Sequence, residues 1–378
     1  MLDVLIYSPD LARAEYGASH PFKPMRAKLF FELLHRFNLR LAENIEIVEP
    51  MPIEEDLLCL FHDKRYIEIL KQAESGEFTM DMLWAELGTG DNPIFKGLFD
   101  FVLHVAGGTL QGARMLLGDD VRFVFNPIGG LHHAGRDHAE GFCYVNDIAI
   151  AILDLLSQGK RVCYIDIDAH HGNGVQDAFY TTDKVLTISL HESGESLYPG
   201  TGFEKEIGKD EGLGYTINIP FRAGTDDEVY TFAYDAIVPP IVTKFKPDIV
   251  VAQVGGDSHK DDPLANLNLT SNGYKHIVES INLMSPRLLA LGGGGYNVFK
   301  TAALWTIAWA VFCGLEPVDQ YAGLVGGMMF GPESEAGNLD DAPFVLDGPE
   351  KEACFEQARR VVDYLQKKVF PLHGITAT

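Results

Sequence analysis

The chain lacks the cysteine pattern of a disulfide framework: Cys59, Cys143, Cys163, Cys313 and Cys354 are odd in number, lie far apart and form no C-x-x-C pair. This excludes a disulfide-stapled scaffold and leads us to expect reduced thiols in a cytoplasmic compartment, where the Asn268-Leu-Thr270 sequon is accidental. Long apolar runs are also missing, and Asp3 stands where a signal peptide would be basic, so a soluble, unexported protein with no membrane partner is expected. Basic residues are scarce, 30 Lys and Arg against 54 Asp and Glu, for a formal net charge of −24. That balance disfavours direct nucleic-acid contact and would attract basic or Lys-rich ligands. No Ser/Pro/Gly tract, low-complexity run or repeat divides the 378 residues, so one domain over 1–378 is expected.

What the chain does have is alternation. Apolar strands are expected at residues 3–8, 121–125, 162–167, 185–190, 248–254 and 287–291. Helical patterns are expected at 24–37, 54–60, 64–73 (with Asp63 as a cap), 94–117, 146–157, 227–244, 271–283 and 301–313, with a C-terminal helical stripe from Phe355 to Val369. The rhythm predicts an α/β fold, an open parallel β-sheet sandwiched by helices. Residues 315–350 read as loop. Arg26, at a helix start, is expected to point inward and find an ion pair.

The stretch from Val162 to His171 organises the rest. Its first half is apolar on both faces, and then Asp166, Asp168 and His170 follow two apart, so an extended chain would direct all three from one face. Burying two carboxylates and an imidazole together calls for a positive partner, most simply a divalent metal. Other strands also run into polar or glycine-rich segments: Asn126-Pro-Ile-Gly-Gly-Leu-His132-His133, Gly255-Gly-Asp257 and Gly292-Gly-Gly-Gly-Tyr296. In an open parallel sheet these carboxyl ends share one edge, where ligands bind. Each segment alone is an ordinary loop or tight turn; their coincidence is what points to chemistry.

On that reading Asp168, His170 and Asp257 are three O/N ligands of a catalytic zinc with an open fourth position. His132 and His133 supply a base and an acid, Asp166 orients one imidazole, and Tyr296 donates to an oxyanion. The four glycines do not make a G-x-G-x-x-G fingerprint, so no nucleotide is expected. His138, His171 and His191 lack such a constellation and read as structural; Asp91 reads as an exposed loop carboxylate, Phe142 and Tyr198 as core or turn aromatics.

The segments Asn126-Pro-Ile-Gly-Gly-Leu-His-His-Ala134, Gly141-Phe-Cys-Tyr-Val-Asn-Asp147, Ile165-Asp-Ile-Asp-Ala-His-His-Gly-Asn-Gly-Val-Gln176, Tyr198-Pro-Gly-Thr-Gly202 and Leu291-Gly-Gly-Gly-Gly-Tyr-Asn297 together resemble the zinc-dependent histone deacetylases, nearest the class I-like and bacterial acetoin-utilisation-type members. The resemblance runs from about His20 to Cys313. It implies the arginase-deacetylase fold and hydrolysis of an N-acetyl-lysine amide in a protein or peptide, with Asp168, His170 and Asp257 on zinc, the His pair as base and acid, and Tyr296 on the carbonyl.

It further implies a tunnel lined by Gly141, Phe142 and Tyr198, an apolar rim residue at Leu264, a substrate-backbone grip at Asp91 and an acetate exit path past Arg26. Potassium is implied at Asp166, Asp168, His170, Ser189 and Leu190, with a second site near Phe179, Thr182 and Val185. Two departures stand out: Asn173 replaces an aspartate common behind the second histidine, which makes His133 less basic, and Tyr198 replaces the usual tunnel phenylalanine. The rival readings are an acetylpolyamine amidohydrolase, a manganese ureohydrolase and a catalytically silent acyl-lysine binding module. Leu264 argues against the first, Asn173 against the second, and the intact His132, His133 and Tyr296 against the third.

Overall fold

A computed structural model describes residues 1–318 and 339–376. Eight strands, β1 (Leu2–Ile6), β2 (Ile45–Val48), β3 (Val121–Asn126), β4 (Val162–Asp166), β5 (Val185–Glu192), β6 (Thr216–Phe221), β7 (Ile249–Gln253) and β8 (Leu288–Leu291), form one open sheet. Their order is β2-β1-β3-β8-β7-β4-β5-β6, and every pairing is parallel. β4, β7 and β8 are buried along their whole length, as strands covered on both faces must be.

Two groups of helices flank the sheet. Leu98–Met115 packs on Asp147–Ser157, while Met25–Arg36, Val298–Cys313, Ser271–Met284, Asp227–Phe245 and Gly348–Lys368 pack one on the next. Trp305 and Trp309 are fully buried, and their indole N–H groups reach the carbonyls of Val254 and Leu39.

Several elements differ from expectation. The first strand ends at Ile6, and the helix expected from residue 94 starts at Leu98, because Gly97 adopts φ 82° and interrupts the turn before it. The helix expected from residue 301 begins at Val298, capped by the Asn297 side chain on the N–H of Lys300. Asp63 precedes its helix but makes no side-chain cap. β2, β6 and the helix Asn173–Phe179 are additions to the expected set. Of the stretch 315–350, residues 319–338 lie outside the described residues, and the C-terminal helix already starts at Gly348. Among the described residues no helix is long and apolar enough to cross a membrane.

Strand register brings the polar ends together. Asn126 of β3 lies beside Leu291 of β8, Leu291 beside Gln253 of β7, and Gln253 beside Asp166 of β4. Four adjacent strands thus end in one row, and the loops after them leave from the same edge.

One buried histidine couples this architecture to pH. His62 Nε2 accepts the N–H of Asn146, the cap of helix Asp147–Ser157, which requires a neutral ring. Burial lowers its pKa from 6.5 to about 4, with backbone carbonyls opposing the shift. The unfolded chain therefore binds the extra proton between those values, and stability present above about 6.5 falls as pH drops toward 4, by roughly 3 kcal/mol from this group. Urea unfolding at several pH values should show a shallower acid slope in His62→Gln; equal slopes would remove His62 as the cause.

Candidate active site

The loop after β3 carries the histidine pair, and the carboxylate of Asp147 fixes it. Fully buried, Asp147 accepts the Thr109 hydroxyl at 2.5 Å and the N–H groups of Gly130 and Leu131 at 2.9 and 2.8 Å. His132 and His133 then lie side by side, ring centroids 4.1 Å apart, with their Nε2 atoms facing each other at 3.1 Å. His132 Nδ1 meets Asp166 Oδ2 at 2.8 Å, and His133 Nδ1 meets Asn173 Oδ1 at 2.7 Å.

The two rings sit in unlike fields. Burial disfavours the His132 cation, but the charges of Asp166 and Asp168 outweigh it and raise its pKa to about 9. His133 is held well below the ordinary value by burial and then by the neighbouring His132 and His170. His132 is thus the readier of the two to carry a proton, and His133 the readier to stay neutral.

The alternation expected to send Asp166, Asp168 and His170 from one face is not what places them. β4 ends at Asp166, and two successive turns follow in which each aspartate side chain accepts the N–H two residues on: Asp168 N to Asp166 Oδ1 and His170 N to Asp168 Oδ1. Asp166 consequently turns to His132 and to the Tyr164 hydroxyl, at 2.6 Å. Asp168 and His170 turn instead toward Asp257, delivered by the loop after β7.

Asp168, His170 and Asp257, all buried, offer one ligand atom each within 4.8 Å of one another. His170 Nδ1 lies 3.1 Å from Asp168 Oδ1 and 3.0 Å from Asp257 Oδ2. The outer carboxylate oxygens are tied down: Asp168 Oδ2 by Gln253 Nε2 at 2.5 Å and Gly294 N at 2.7 Å, Asp257 Oδ1 by Ala169 N at 2.7 Å. Two buried carboxylates this close repel, and Asp257 is pushed up by burial and by Asp168. The flanking carboxylates overcome burial at His170 and raise it to about 10. A dication held between the three ligand atoms would satisfy the same charges, so this donor set of two carboxylates and an imidazole fits a metal such as zinc.

Gly294 permits the approach: a Cβ there would stand 2.2 Å from Asp257 Oδ2 and 2.6 Å from Asp168 Oδ2. Tyr296 follows, its backbone N–H held by Asp262 Oδ2 at 2.7 Å and its ring edge-on to His170 at 6.1 Å and to Phe142 at 5.7 Å. Burial and the charges of Asp257 and Asp168 push its phenol well up, so it stays a proton donor.

Phe142 follows Gly141, both at positive φ (70° and 52°), and a Cβ on Gly141 would clash with the His133 ring at 2.5 Å. Tyr198, 45% exposed, sets its ring against His133 at 5.3 Å, and Leu264 is 36% exposed. Asp91 is exposed, with its carbonyl taken by His20 Nε2 at 3.1 Å.

Arg26 points inward as expected, but among the described residues it makes no ion pair. It donates to the carbonyls of Gly295, at 2.7 Å, and Gly293, and its guanidinium lies over Phe22 and Trp305. Glycine-loop carbonyls compensate its charge in place of a carboxylate. Of the residues expected at potassium, Ser189 lies beside Asp166 in register, and the Leu190 carbonyl accepts the Tyr230 hydroxyl at 3.3 Å. Phe179, Thr182 and Val185 sit by the opposite end of β5, where Val185 pairs with Val162.

Sequence reasoning missed Gln253, Asp262, Asp147 and His20. A glutamine closing an otherwise apolar buried strand was the one usable signal; the other three become visible only with their partners. His171 and His191 are buried and bonded locally, to Thr201 and Gln176 and to Ser189 and Gly202.

Comparison with known proteins shows the family and the fold. Residues 20–312 match the Histone deacetylase domain. Among curated relatives, a probable histone deacetylase 19 of Zea mays is 40% identical over 318 residues, covering 83% of this chain; the chain spans 61% of that relative's length. Among solved structures, an HDAC homologue from Aquifex aeolicus is 31% identical with a TM-score of 0.82, covering 94% of this chain and 100% of that one. An HDAC homologue complexed with SAHA is 30% identical with a TM-score of 0.83, covering 97% and 99%. The eight-stranded parallel sheet with its flanking helices is the arginase-deacetylase fold seen in those structures. On the match over most of its length, the chain belongs to the histone deacetylase family of hydrolases.

Proposed function

We propose that the protein is a zinc-dependent amidohydrolase that removes acetyl groups from the Nε of lysine in proteins or peptides. The observation that carries this is the convergence on one buried point of Asp168, His170 and Asp257 with the His132–His133 pair and Tyr296. Asp168, His170 and Asp257 would hold the zinc ion, which when bound supplies Lewis acidity toward a carbonyl and brings the pKa of water to about 7.

The remaining work falls to the chain's own groups. His133 Nε2 takes a proton from the attacking water, and the neighbouring His132, backed by the Asp166 carboxylate, steadies the negative charge that forms. The Tyr296 hydroxyl donates to the carbonyl oxygen as the carbon becomes tetrahedral. The C–N bond then breaks, the proton passes to the departing lysine amine, and acetate remains. Gly141, Phe142 and Tyr198 wall the passage for the lysine stem, Leu264 forms its rim, and Asp91 sits in an exposed loop suited to gripping a peptide backbone. Arg26, beneath the glycine loop, suits an exit path for acetate. Potassium bound by Asp166, Asp168, His170, Ser189 and Leu190, and near Phe179, Thr182 and Val185, belongs to the same proposal; the Asp166–Ser189 register supports the first site. The negative net charge suits a lysine-rich protein partner rather than nucleic acid, and the scattered cysteines and short apolar runs suit a cytoplasmic setting away from membranes.

The test is a panel of acyl-lysine peptides and acetylspermidine on the zinc-loaded protein. Acetate release from peptides at a kcat/KM at least about 10-fold above that for acetylspermidine is expected, a difference of about 1.4 kcal/mol in transition-state binding. The reverse order would make it a polyamine enzyme, and binding without release a silent reader.

A further inference from the structure

The two site histidines are backed differently. His132 rests directly on the carboxylate of Asp166, whereas His133 Nδ1 rests on an amide oxygen, Asn173 Oδ1, at 2.7 Å. The amide does not end the chain of contacts. Asn173 Nδ2 donates to Glu140 Oε1 at 2.9 Å, and the same oxygen accepts the Tyr198 hydroxyl at 2.9 Å. The other oxygen, Oε2, faces His138 Nε2 at 3.3 Å, and His138 Nδ1 meets Asp137 at 2.8 Å. Glu140 is itself fixed, since its backbone exchanges hydrogen bonds with Cys143 at 2.9 and 2.8 Å across the Gly141–Phe142 turn.

An asparagine side chain has two faces of opposite polarity and can present either to a neighbour. Turned one way it accepts from His133 Nδ1–H and leaves Nε2 with a lone pair toward the site. Turned the other way it donates to Nδ1, moves the ring proton to Nε2 and removes the base. An ionised carboxylate only accepts, so Glu140 permits just the first orientation. We propose that Glu140 is a positioning residue: it fixes the direction of the Asn173 amide and thereby holds His133 in the tautomer whose Nε2 can take a proton. The carboxylate that many class I members of the family this chain resembles carry at this place has in effect moved one residue outward, and Tyr198, the other departure in the sequence, bonds to the same oxygen.

The kinetic consequence rests on the deacetylase reading, but the tautomer does not. Glu140→Gln keeps the size and the hydrogen-bonding reach yet can donate as well as accept, so the amide is free to reverse. On acetyl-lysine peptide, kcat should fall about 10- to 100-fold with KM little changed, short of the ~10⁴ that a fully wrong tautomer costs in a Ser–His–Asp triad. The exchanged pair Glu140→Gln with Asn173→Asp restores an acceptor-only partner at His133, and kcat should return to within about threefold of the parent, a strong positive coupling between neighbours.

The independent readout is the nitrogen-15 spectrum of histidine-labelled, zinc-loaded protein. His133 should show protonated Nδ1 and unprotonated Nε2 in the parent and in the exchanged pair, and a mixture in Glu140→Gln. An unchanged spectrum and kcat in Glu140→Gln, with a melting curve like the parent's, would overturn the proposal. So would an exchanged pair no better than the single variant. A parent that releases no acetate would overturn the deacetylase reading, and the spectrum would still decide the role of Glu140.

Discussion

Tyr296→Phe is expected to lower kcat by roughly 10²–10³ while KM, zinc content and melting temperature stay at the parent's values. The substitution removes one oxygen from a ring whose placement does not depend on it. The ring is held by edge-on contacts to Phe142 and His170, and its backbone N–H by Asp262 at 2.7 Å. What is lost is a donor that burial and the nearby carboxylates keep protonated. Such a donor matters when charge appears on the substrate oxygen and little before, so the loss belongs in kcat, equivalent to about 2.7–4 kcal/mol of transition-state stabilisation. Steady-state kinetics on the zinc-loaded variant, with metal analysis of the same sample, measures this. Turnover within a few-fold of the parent would remove Tyr296 from the mechanism.

Asp257→Asn should show the opposite signature, weakening zinc retention by at least about 100-fold, the upper end of what loss of a mere outer-shell partner costs. Asp257 Oδ1 accepts the N–H of Ala169 at 2.7 Å and its Oδ2 faces His170 Nδ1 at 3.0 Å. The Ala169 N–H requires an oxygen, so an asparagine must seat its carbonyl there and turn its NH₂ toward the point where the cation belongs. The variant loses a ligand atom, loses one of the two charges that balance the metal, and presents a donor in their place. Dialysis against graded chelator followed by zinc analysis reads the effect, and saturating zinc should recover part of the activity. Parent-like retention would exclude the Asp168–His170–Asp257 metal site.

The near-continuous apolar runs of β4, β7 and β8 are strong in the sequence because strands of a parallel sheet covered on both faces are apolar throughout. The abrupt polarity at each strand end marks the site. β2 escapes detection for the same physical reason in reverse: it is a four-residue edge strand with two exposed positions, so its apolar signal is short and broken. The expected extended run through Asp166, Asp168 and His170 fails because aspartate side chains capture the N–H two residues on, and a periodicity argument contains no such competition.

The sequence by itself determined the parallel class of the sheet, six of its eight strands, the edge at which the ligands gather and the residue types gathered there, since burial pattern and strand-end chemistry are local properties of the chain. Only the tertiary structure decided that Asp166 serves His132 while Asp168 and His170 turn to Asp257. It alone placed glycine carbonyls around Arg26, and behind His133 it set the amide of Asn173 and then the carboxylate of Glu140. Those pairings join residues 33 to 269 positions apart, and their partners are selected by strand register and loop packing that no window along the chain encodes.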